Sequence, residues 1–128
     1  MKKELQDRLV TVYSEIFSEV GKTPQESCMA FGICVDDGWY WLIDQLCSHL
    51  QSNIGSYGSP QIVAVQVKEK FGGLRFYVNS ATDEQFAIIS FAEDLSFSIC
   101  EACGSTKEVS STDKGWIKTL CKECQEKK

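Results

Sequence analysis

The chain lacks several features on which large classes of proteins depend. Its 128 residues include one histidine, His49, and no Ser–His–Asp or Cys–His catalytic grouping can be assembled around it from the sequence. No apolar run approaches the roughly 20 residues that a membrane-spanning helix needs. The first residues, Met-Lys-Lys-Glu, lack the apolar core of a signal peptide. With no internal repeat and no low-complexity stretch either, the sequence predicts a globular protein of the cytoplasm.

The charge of the chain is acidic and unevenly distributed. The formal net charge is −5, with seven Lys and Arg against thirteen Asp and Glu in residues 1–99 and six against five in residues 100–128. An acidic body repels the phosphate backbone, which disfavours nonspecific binding to nucleic acids. The apolar fraction of 43% suits a folded core, and the length predicts one domain with an appendage.

Four of the seven cysteines form two short pairs. The pairs are Cys100-Glu-Ala-Cys103 and Cys121-Lys-Glu-Cys124, with seventeen residues between them. This paired spacing is typical of a tetrahedral Cys₄ zinc site, and four thiolates leave no open position, so we expect a structural zinc. Two disulfides or four unliganded thiols are the alternatives. An odd number of cysteines without a secretion signal favours reduced thiols.

Hydrophobic periodicity predicts an α+β fold in which three helices pack on one side of a small antiparallel sheet. The first helix is expected to continue through Val20 and to stop at Gly21, and the second to cover about Gly38 to Asn53. The third helix begins with a capping box formed by Thr82 and Gln85, and runs toward the first cysteine pair. The apolar stripe of the first helix consists of Leu5, Leu9, Val12, Ile16 and Val20.

The sheet is predicted as a β-hairpin over residues 61–79. Gly72-Gly73 stands between two alternating runs and indicates a two-residue turn, which pairs Phe71 with Leu74 and Lys70 with Arg75. One face of this hairpin is expected to belong to the core. Its residues are Val63, Val65, Val67, Phe71, Leu74, Phe76 and Val78.

The stretch between the cysteine pairs is predicted to form a second, shorter hairpin, as in a zinc ribbon. No flexible linker separates the third helix from the first pair. We therefore expect two parts, an α+β body over residues 1–99 and a Cys₄ zinc-ribbon appendage over residues 100–128 that docks on the body.

Basic side chains cluster on the water-facing side of the predicted hairpin. Lys68, Lys70 and Arg75 lie there with Tyr77 beside them, and we call these four residues the basic hairpin face. Directly opposed like charges repel each other, which invites a counter-charge. The face is either a binding site for phosphate, a nucleotide or an acidic partner, or an ordinary solvated sheet surface.

Carboxylates stand at two places where the pattern does not require them. Glu69 interrupts the apolar face of the hairpin, so it is a general base, a buried ion-pair partner, or a residue at the sheet margin that reaches solvent. Asp36, Asp37 and Asp44 could form a metal-binding set with Glu69, but capping of the second helix explains Asp36 or Asp37 without any chemistry.

Trp41 falls on the polar face of the predicted second helix, opposite its buried stripe. Large aromatic side chains are enriched at protein interfaces and often dominate the binding energy. Trp41 is therefore a candidate contact residue for a partner. The alternative is that another segment of the chain covers it.

Three blocks together resemble a group of small, uncharacterised bacterial and phage proteins: Asp37-Gly38-Trp39, the run from Val67 to Tyr77, and the two Cys-x-x-Cys pairs. The resemblance covers residues from about 31 to 124. It implies a zinc-ribbon tail on a small α+β body and a link to phages or prophages. Of the individual residues it carries over only the four cysteines, as metal ligands, and it implies no activity.

These features favour a non-enzymatic protein-interaction module that binds structural Zn²⁺ in the cytoplasm. With the phage link, it is expected to inhibit a host protein such as a defence component. Binding of a small anionic ligand or nucleotide by the basic hairpin face is one alternative. A nucleic-acid-binding ribbon is another, and an enzyme has the least support. The ribbon residues that could meet phosphates are Lys107, Lys114, Lys118 and Lys122.

Overall fold

The computed structural model describes residues 1–113 and 115–127, which adopt an α+β fold. The helices are α1 (Lys3–Val12), α2 (Tyr40–Tyr57), α3 (Asp83–Leu95) and α4 (Lys122–Glu126). The strands are β1 (Ile33–Cys34), β2 (Ala64–Lys70), β3 (Gly73–Val78), β4 (Val109–Ser111) and β5 (Thr119–Cys121). The predicted fold class is correct, but the described residues form four α-helices instead of three, because a short helix follows Cys121 and includes Cys124. No helix in the described parts is both long and apolar enough to cross a membrane.

The main sheet is mixed, whereas the sequence predicted an antiparallel one. Its strand order is β1-β2-β3, with β1 parallel to β2 and β2 antiparallel to β3. Ile33 of β1 pairs with Val67, and its backbone N–H donates to Oε1 of Gln6 at 2.8 Å. The segment before α2 therefore adds a strand to the hairpin, and α1 holds that strand in place.

The predicted turn of the β2–β3 hairpin is wrong by one residue. The two turn residues are Phe71 and Gly72, with φ of 52° and 86°, so Lys70 pairs with Gly73. A two-residue turn of this kind requires positive φ at both positions. Gly73 belongs to the strand, and a Cβ there would lie 2.4 Å from the Phe97 ring. The second glycine thus serves the packing of Phe97 and not the turn.

The core face of β2 also differs from the prediction, because the strand contains a bulge. The register shifts between Ala64 and Gln66, which leaves Val65 as the extra residue. Ile62 and Ala64 are consequently buried, while Val63 and Val65 are only half-buried. Phe71, at the turn, is also not in the core: 68% of it is exposed. The other predicted core residues, Val67, Leu74 and Phe76, are buried, and Val78 packs against them.

The first helix ends at Val12, eight residues before the predicted end. The carbonyl of Ile16 accepts the backbone N–H of Ala64 at 2.8 Å. In a continued helix this carbonyl would instead accept the N–H of the residue four positions later. Ile16 and its neighbour Phe17 both enter the core, while Val12 is 68% exposed. Pairing with the sheet segment therefore overrides the helical periodicity.

The second helix is longer than predicted, and the aspartates before it do not cap it. It continues through Gly55 and ends at Gly58, which has a φ of 63°. Asp36 makes no capping hydrogen bond. Asp37 accepts the backbone N–H of Lys2 at 2.7 Å and so ties down the start of the chain.

The third helix begins as predicted and covers the free edge of the sheet. Both hydrogen bonds of the capping box between Thr82 and Gln85 are present. Oε2 of Glu93 accepts the N–H of Phe76 at 2.9 Å, and Oγ of Ser96 accepts that of Leu74 at the same distance. These side chains satisfy donors that an edge strand would otherwise expose.

The segment that begins at Ile99 is joined to the rest of the body by hydrogen bonds. The indole N–H of Trp39, which has no solvent exposure, donates to the carbonyl of Ile99 at 2.9 Å. The N–H of Gly38 donates to the carbonyl of Glu101 at 2.7 Å, and the Thr119 hydroxyl donates to the carbonyl of Gly72 at 2.6 Å. The division into a body and an appendage stays a prediction, but these contacts join the two segments.

Candidate metal centre and interaction surfaces

The four paired cysteines converge on one point. The Sγ atoms of Cys100, Cys103, Cys121 and Cys124 all lie within 4.8 Å of one another, and those of Cys103 and Cys121 are 3.7 Å apart. A tetrahedral site with metal–sulfur bonds of about 2.3 Å would separate its sulfurs by roughly 3.8 Å. A disulfide would require about 2.05 Å. All seven cysteines are free, so the cluster fits a metal ion and not a pair of disulfides.

The backbone around each cysteine pair explains why its two sulfur atoms lie close together. After the first pair, Gly104 adopts a φ of 84°, and its N–H donates to the carbonyl of Cys100 at 2.8 Å. In the second pair, the N–H of Cys124 approaches Sγ of Cys121 at 3.5 Å. The positive φ suits glycine, because the tight turn needs a left-handed residue at this position.

Three of the four clustered thiols have shifted pKa values. A backbone hydrogen bond from Ser105 lowers the pKa of Cys103, but burial and hydrogen bonds to Cys100 and Cys121 outweigh it and raise that pKa. Burial raises the pKa of Cys100, but backbone hydrogen bonds from Cys121, Cys103 and Ala102 outweigh it and lower the pKa to about 7. The hydrogen bond to Cys121, together with burial, raises the pKa of Cys124 to about 12. The first pair therefore supplies a ready thiolate, the form that binds metals.

The buried carboxylate of Glu101, next to the cluster, lies close to the ammonium group of Lys118. Glu101 is 2% exposed, and burial raises its pKa. Nζ of Lys118 lies 3.8 Å from Oε1 of Glu101 and 3.4 Å from Oδ2 of Asp36. Lys118 is thus an internal counter-charge, in contrast to its predicted role as a phosphate contact. Of the other ribbon lysines, Lys107 and Lys122 are exposed, and Lys114 lies outside the described residues.

The basic hairpin face is present with a different pairing. Lys68, not Lys70, lies opposite Arg75, and both side chains are half-buried. Lys70 stands at the turn end of β2, with its Nζ 5.8 Å from the centre of the Phe71 ring. Tyr77 is 41% exposed. No ion pair joins Lys68 or Arg75 to a carboxylate within residues 1–113 and 115–127.

The isolated carboxylates do not assemble into a second site. Oε2 of Glu69 accepts the N–H of Gly72 at 2.8 Å, and its Oε1 faces the indole N–H of Trp116 at 3.3 Å. Asp44 accepts the hydroxyl of Tyr13 at 2.8 Å. Asp36 shares Lys118 with Glu101, whereas Glu69 and Asp44 have partners of their own. Glu69 lies at the sheet margin, as one of the three alternatives predicted. Among the described residues, the four clustered cysteines are the one set of His, Cys, Asp or Glu side chains whose geometry could hold a metal ion.

An apolar groove runs between α2 and α3. Its volume is about 480 Å³. Trp41 of α2 and Phe91 of α3 line it and are 61% and 68% exposed. Other lining residues are Leu46, His49, Ile88 and Leu95. The groove leaves a continuous apolar surface open to solvent.

The α3 wall of this groove was missed by the sequence reasoning. The apolar residues of the third helix, among them Phe86 and Phe91, predict a helix face that packs toward the hairpin. In the structure these two side chains are instead 51% and 68% exposed. The residues of α3 that enter the core are Gln85, Ile89 and Ala92. The sequence did contain a signal for this exposed surface. The apolar residues of α3 extend around more of the helix than one packing face requires.

No model of a known protein family matches the chain, and neither curated proteins nor solved structures give a match. The candidate sites are therefore supported by the residues and geometry of this chain alone.

Proposed function

We propose that the chain is a small zinc-binding module without enzymatic activity that acts in the cytoplasm by binding another protein. The observation that carries this proposal is the open groove between α2 and α3, whose lining residues Trp41 and Phe91 are 61% and 68% exposed. Apolar grooves between helices are frequent binding sites. Aromatic anchors at such a surface typically contribute most of the binding energy.

The metal in this proposal is Zn²⁺, and its role is structural. Four sulfur donors in a cluster less than 5 Å across suit a soft, tetrahedral ion. Four thiolates would fill the coordination shell, so the ion would not contact a substrate. Zinc would stabilise the backbone around Cys100, which contacts Trp39 and Gly38 of the body.

We further propose that the partner is a host protein and that a phage encodes the chain. The resemblance of the Val67–Tyr77 block and the cysteine pairs to a group of bacterial and phage proteins supports this origin. A small, acidic module with a closed metal site is suited to occupying a partner's surface, as an inhibitor of a host defence protein would.

Capture from bacterial lysate tests the interaction. Immobilised wild-type chain is expected to retain a specific protein, and Trp41→Ala should weaken the retention by about tenfold or more, because a buried tryptophan anchor contributes roughly 2 kcal/mol or more. Trp116→Ala is a matched control, since Trp116 is 75% exposed but lies on the ribbon. Recovery of no specific protein, or equal recovery with Trp41→Ala, would contradict the proposal.

A second candidate function is the binding of a small anion or nucleotide at Lys68 and Arg75. The observation that favours it is the direct pairing of these two cations without an ion-pair partner among the described residues. Nucleic-acid binding by the ribbon has less support, because Lys118 is engaged by Glu101 and Asp36.

Thermal melting with a panel of nucleotides and inorganic phosphate tests the anion site. A ligand at about 100 times its Kd should stabilise the chain by about 2.7 kcal/mol, a shift of several degrees in Tm. The shift should disappear in Lys68→Ala/Arg75→Ala and persist in Lys70→Ala, because Lys70 lies opposite Gly73 at the turn. A panel without any shift would contradict this second function.

A further inference from the structure

We infer, on the basis of the proposed function, that the partner segment bound in the groove between α2 and α3 is an amphipathic helix with Lys and Arg beside its apolar stripe. The groove is about 480 Å³ in volume and is walled by helices of 18 and 13 residues. A third helix laid along it would bury the exposed faces of Trp41 and Phe91, as in other helix-in-groove complexes.

The walls of the groove explain why the bound segment should be helical. Both walls are α-helices, whose backbone N–H and C=O groups are bonded within each helix, so the groove offers side chains only. A strand could not pair with such a surface. An extended segment would leave its own backbone groups unpaired against apolar side chains, at a cost that a helix avoids.

The charges around the groove explain why the helix should be basic. Neither α2 nor α3 contains a Lys or Arg. Their acidic residues are Asp44, Asp83, Glu84, Glu93 and Asp94. Asp44 and Glu93 accept hydrogen bonds within the body. Glu84 and Asp94 are exposed and lie within two turns of Phe91 on α3, at spacings that share its face. Basic flanks on a partner would complement them.

A second copy of the chain fits the groove less well. A two-fold dimer through this surface would place Glu84 and Asp94 near their own equivalents, which repel each other. Lys3 and Arg8 are the basic residues of α1, and Leu9 of the same helix is 1% exposed in the core. The apolar side of α1 is therefore not available to bind the groove of another copy. The charge pattern therefore selects a different protein.

Three labelled peptides of about 18 residues, or five helical turns, test the inference against the full-length, zinc-loaded chain. The first carries Leu on one helical face and Lys elsewhere, the second has Glu in place of Lys, and the third is the Leu/Lys peptide in scrambled order. Fluorescence anisotropy should show that the first binds at least about tenfold more tightly than the other two, and less tightly as salt rises. Equal binding of the three peptides, or no binding, would overturn the inference.

Variants locate the binding on the groove. Phe91→Asp should weaken binding of the Leu/Lys peptide by about tenfold or more. Phe86→Asp should leave it unchanged, because Phe86 is 51% exposed on the same helix but lies outside the groove. Glu84→Lys/Asp94→Lys should reverse the preference in favour of the Leu/Glu peptide. Loss of binding in Phe86→Asp, or retention of the Lys preference in the double variant, would overturn the inference.

The lysate experiment distinguishes this inference from the proposed function. A captured protein that requires Trp41 and contacts the groove through a basic helix supports both. A captured protein that requires Trp41 but presents an acidic or non-helical segment contradicts the inference and leaves the proposed function standing. Far-UV circular dichroism of each variant should match that of the wild type, since Phe91, Glu84 and Asp94 are all exposed.

Discussion

Removing the metal is expected to unfold the segments around the two cysteine pairs and to lower the stability of the whole chain. Structural zinc contributes on the order of 10–16 kcal/mol in small peptides, as much as the roughly 5–15 kcal/mol that a whole domain typically has. The segment at the first cysteine pair also supplies acceptors to the body: the carbonyl of Ile99 to Trp39, and that of Glu101 to Gly38. Losing the cluster would leave the buried Trp39 indole without its acceptor, which adds a cost in the body.

Metal analysis and thermal melting check this expectation. The purified chain should contain one zinc ion, and a chelator should lower its Tm by about 10 °C or more, because several kcal/mol are lost. Cys121→Ser should reproduce the effect without chelator. Cys28→Ser is the matched control, as Cys28 is exposed and lies outside the cluster. Metal-free protein that melts at the same temperature with and without chelator would show that the cluster is not a zinc site.

The parts of the fold that the sequence predicted correctly are determined over short stretches of chain. The cysteine pairs form from two-residue gaps and a tight turn, and Gly104 adopts the positive φ that this turn needs. The capping box at Thr82 and Gln85 also lies within a single helical turn. In these places a few neighbouring residues decide the local geometry, so their spacing is enough to predict it.

The errors arise where a distant residue decides the geometry. The turn of the hairpin lies one residue before the predicted one, because Gly73 is in the strand and packs under the ring of Phe97, twenty-four positions further along the chain. The first helix stopped because the carbonyl of Ile16 bonds to Ala64. Periodicity carries no information about either contact, since both depend on how separate elements pack.

The candidate sites divide in the same way. The cysteine cluster was predictable from spacing, whereas the place of Trp41 on the helix left open whether another segment covers it, and the structure shows it 61% exposed. Its counterpart Phe91 could not be assigned, because only the packing of α3 against the sheet shows which of its apolar residues remain outside. The sequence predicted Lys118 as a free cation that could contact phosphate, but in the structure it lies 3.8 Å from Glu101, which stands between Cys100 and Cys103.

Gly38→Ala is expected to destabilise the chain by about 3 kcal/mol or more, because a Cβ at this position overlaps the backbone of the cysteine segment. The added carbon would lie 2.2 Å from the carbonyl oxygen of Cys100 and 2.4 Å from that of Glu101. Backbone atoms beside a metal cluster cannot rotate away as a side chain can. The N–H of Gly38 would also lose its 2.7 Å bond to Glu101 if the segments moved apart.

Gly55→Ala is the matched control, and its effect should have the opposite sign. Gly55 lies within α2, and a Cβ there meets nothing within 4 Å. Alanine is favoured over glycine inside a helix by about 0.8–1 kcal/mol, so this variant should be more stable than the wild type. Urea unfolding of both variants measures the difference. If Gly38→Ala unfolds at the urea concentration of the wild type, the cysteine segment does not pack on Gly38 as tightly as the 2.2 Å approach requires. The close approach ties metal binding to the body, since a ribbon held at Gly38 and Trp39 cannot unfold without exposing the start of α2.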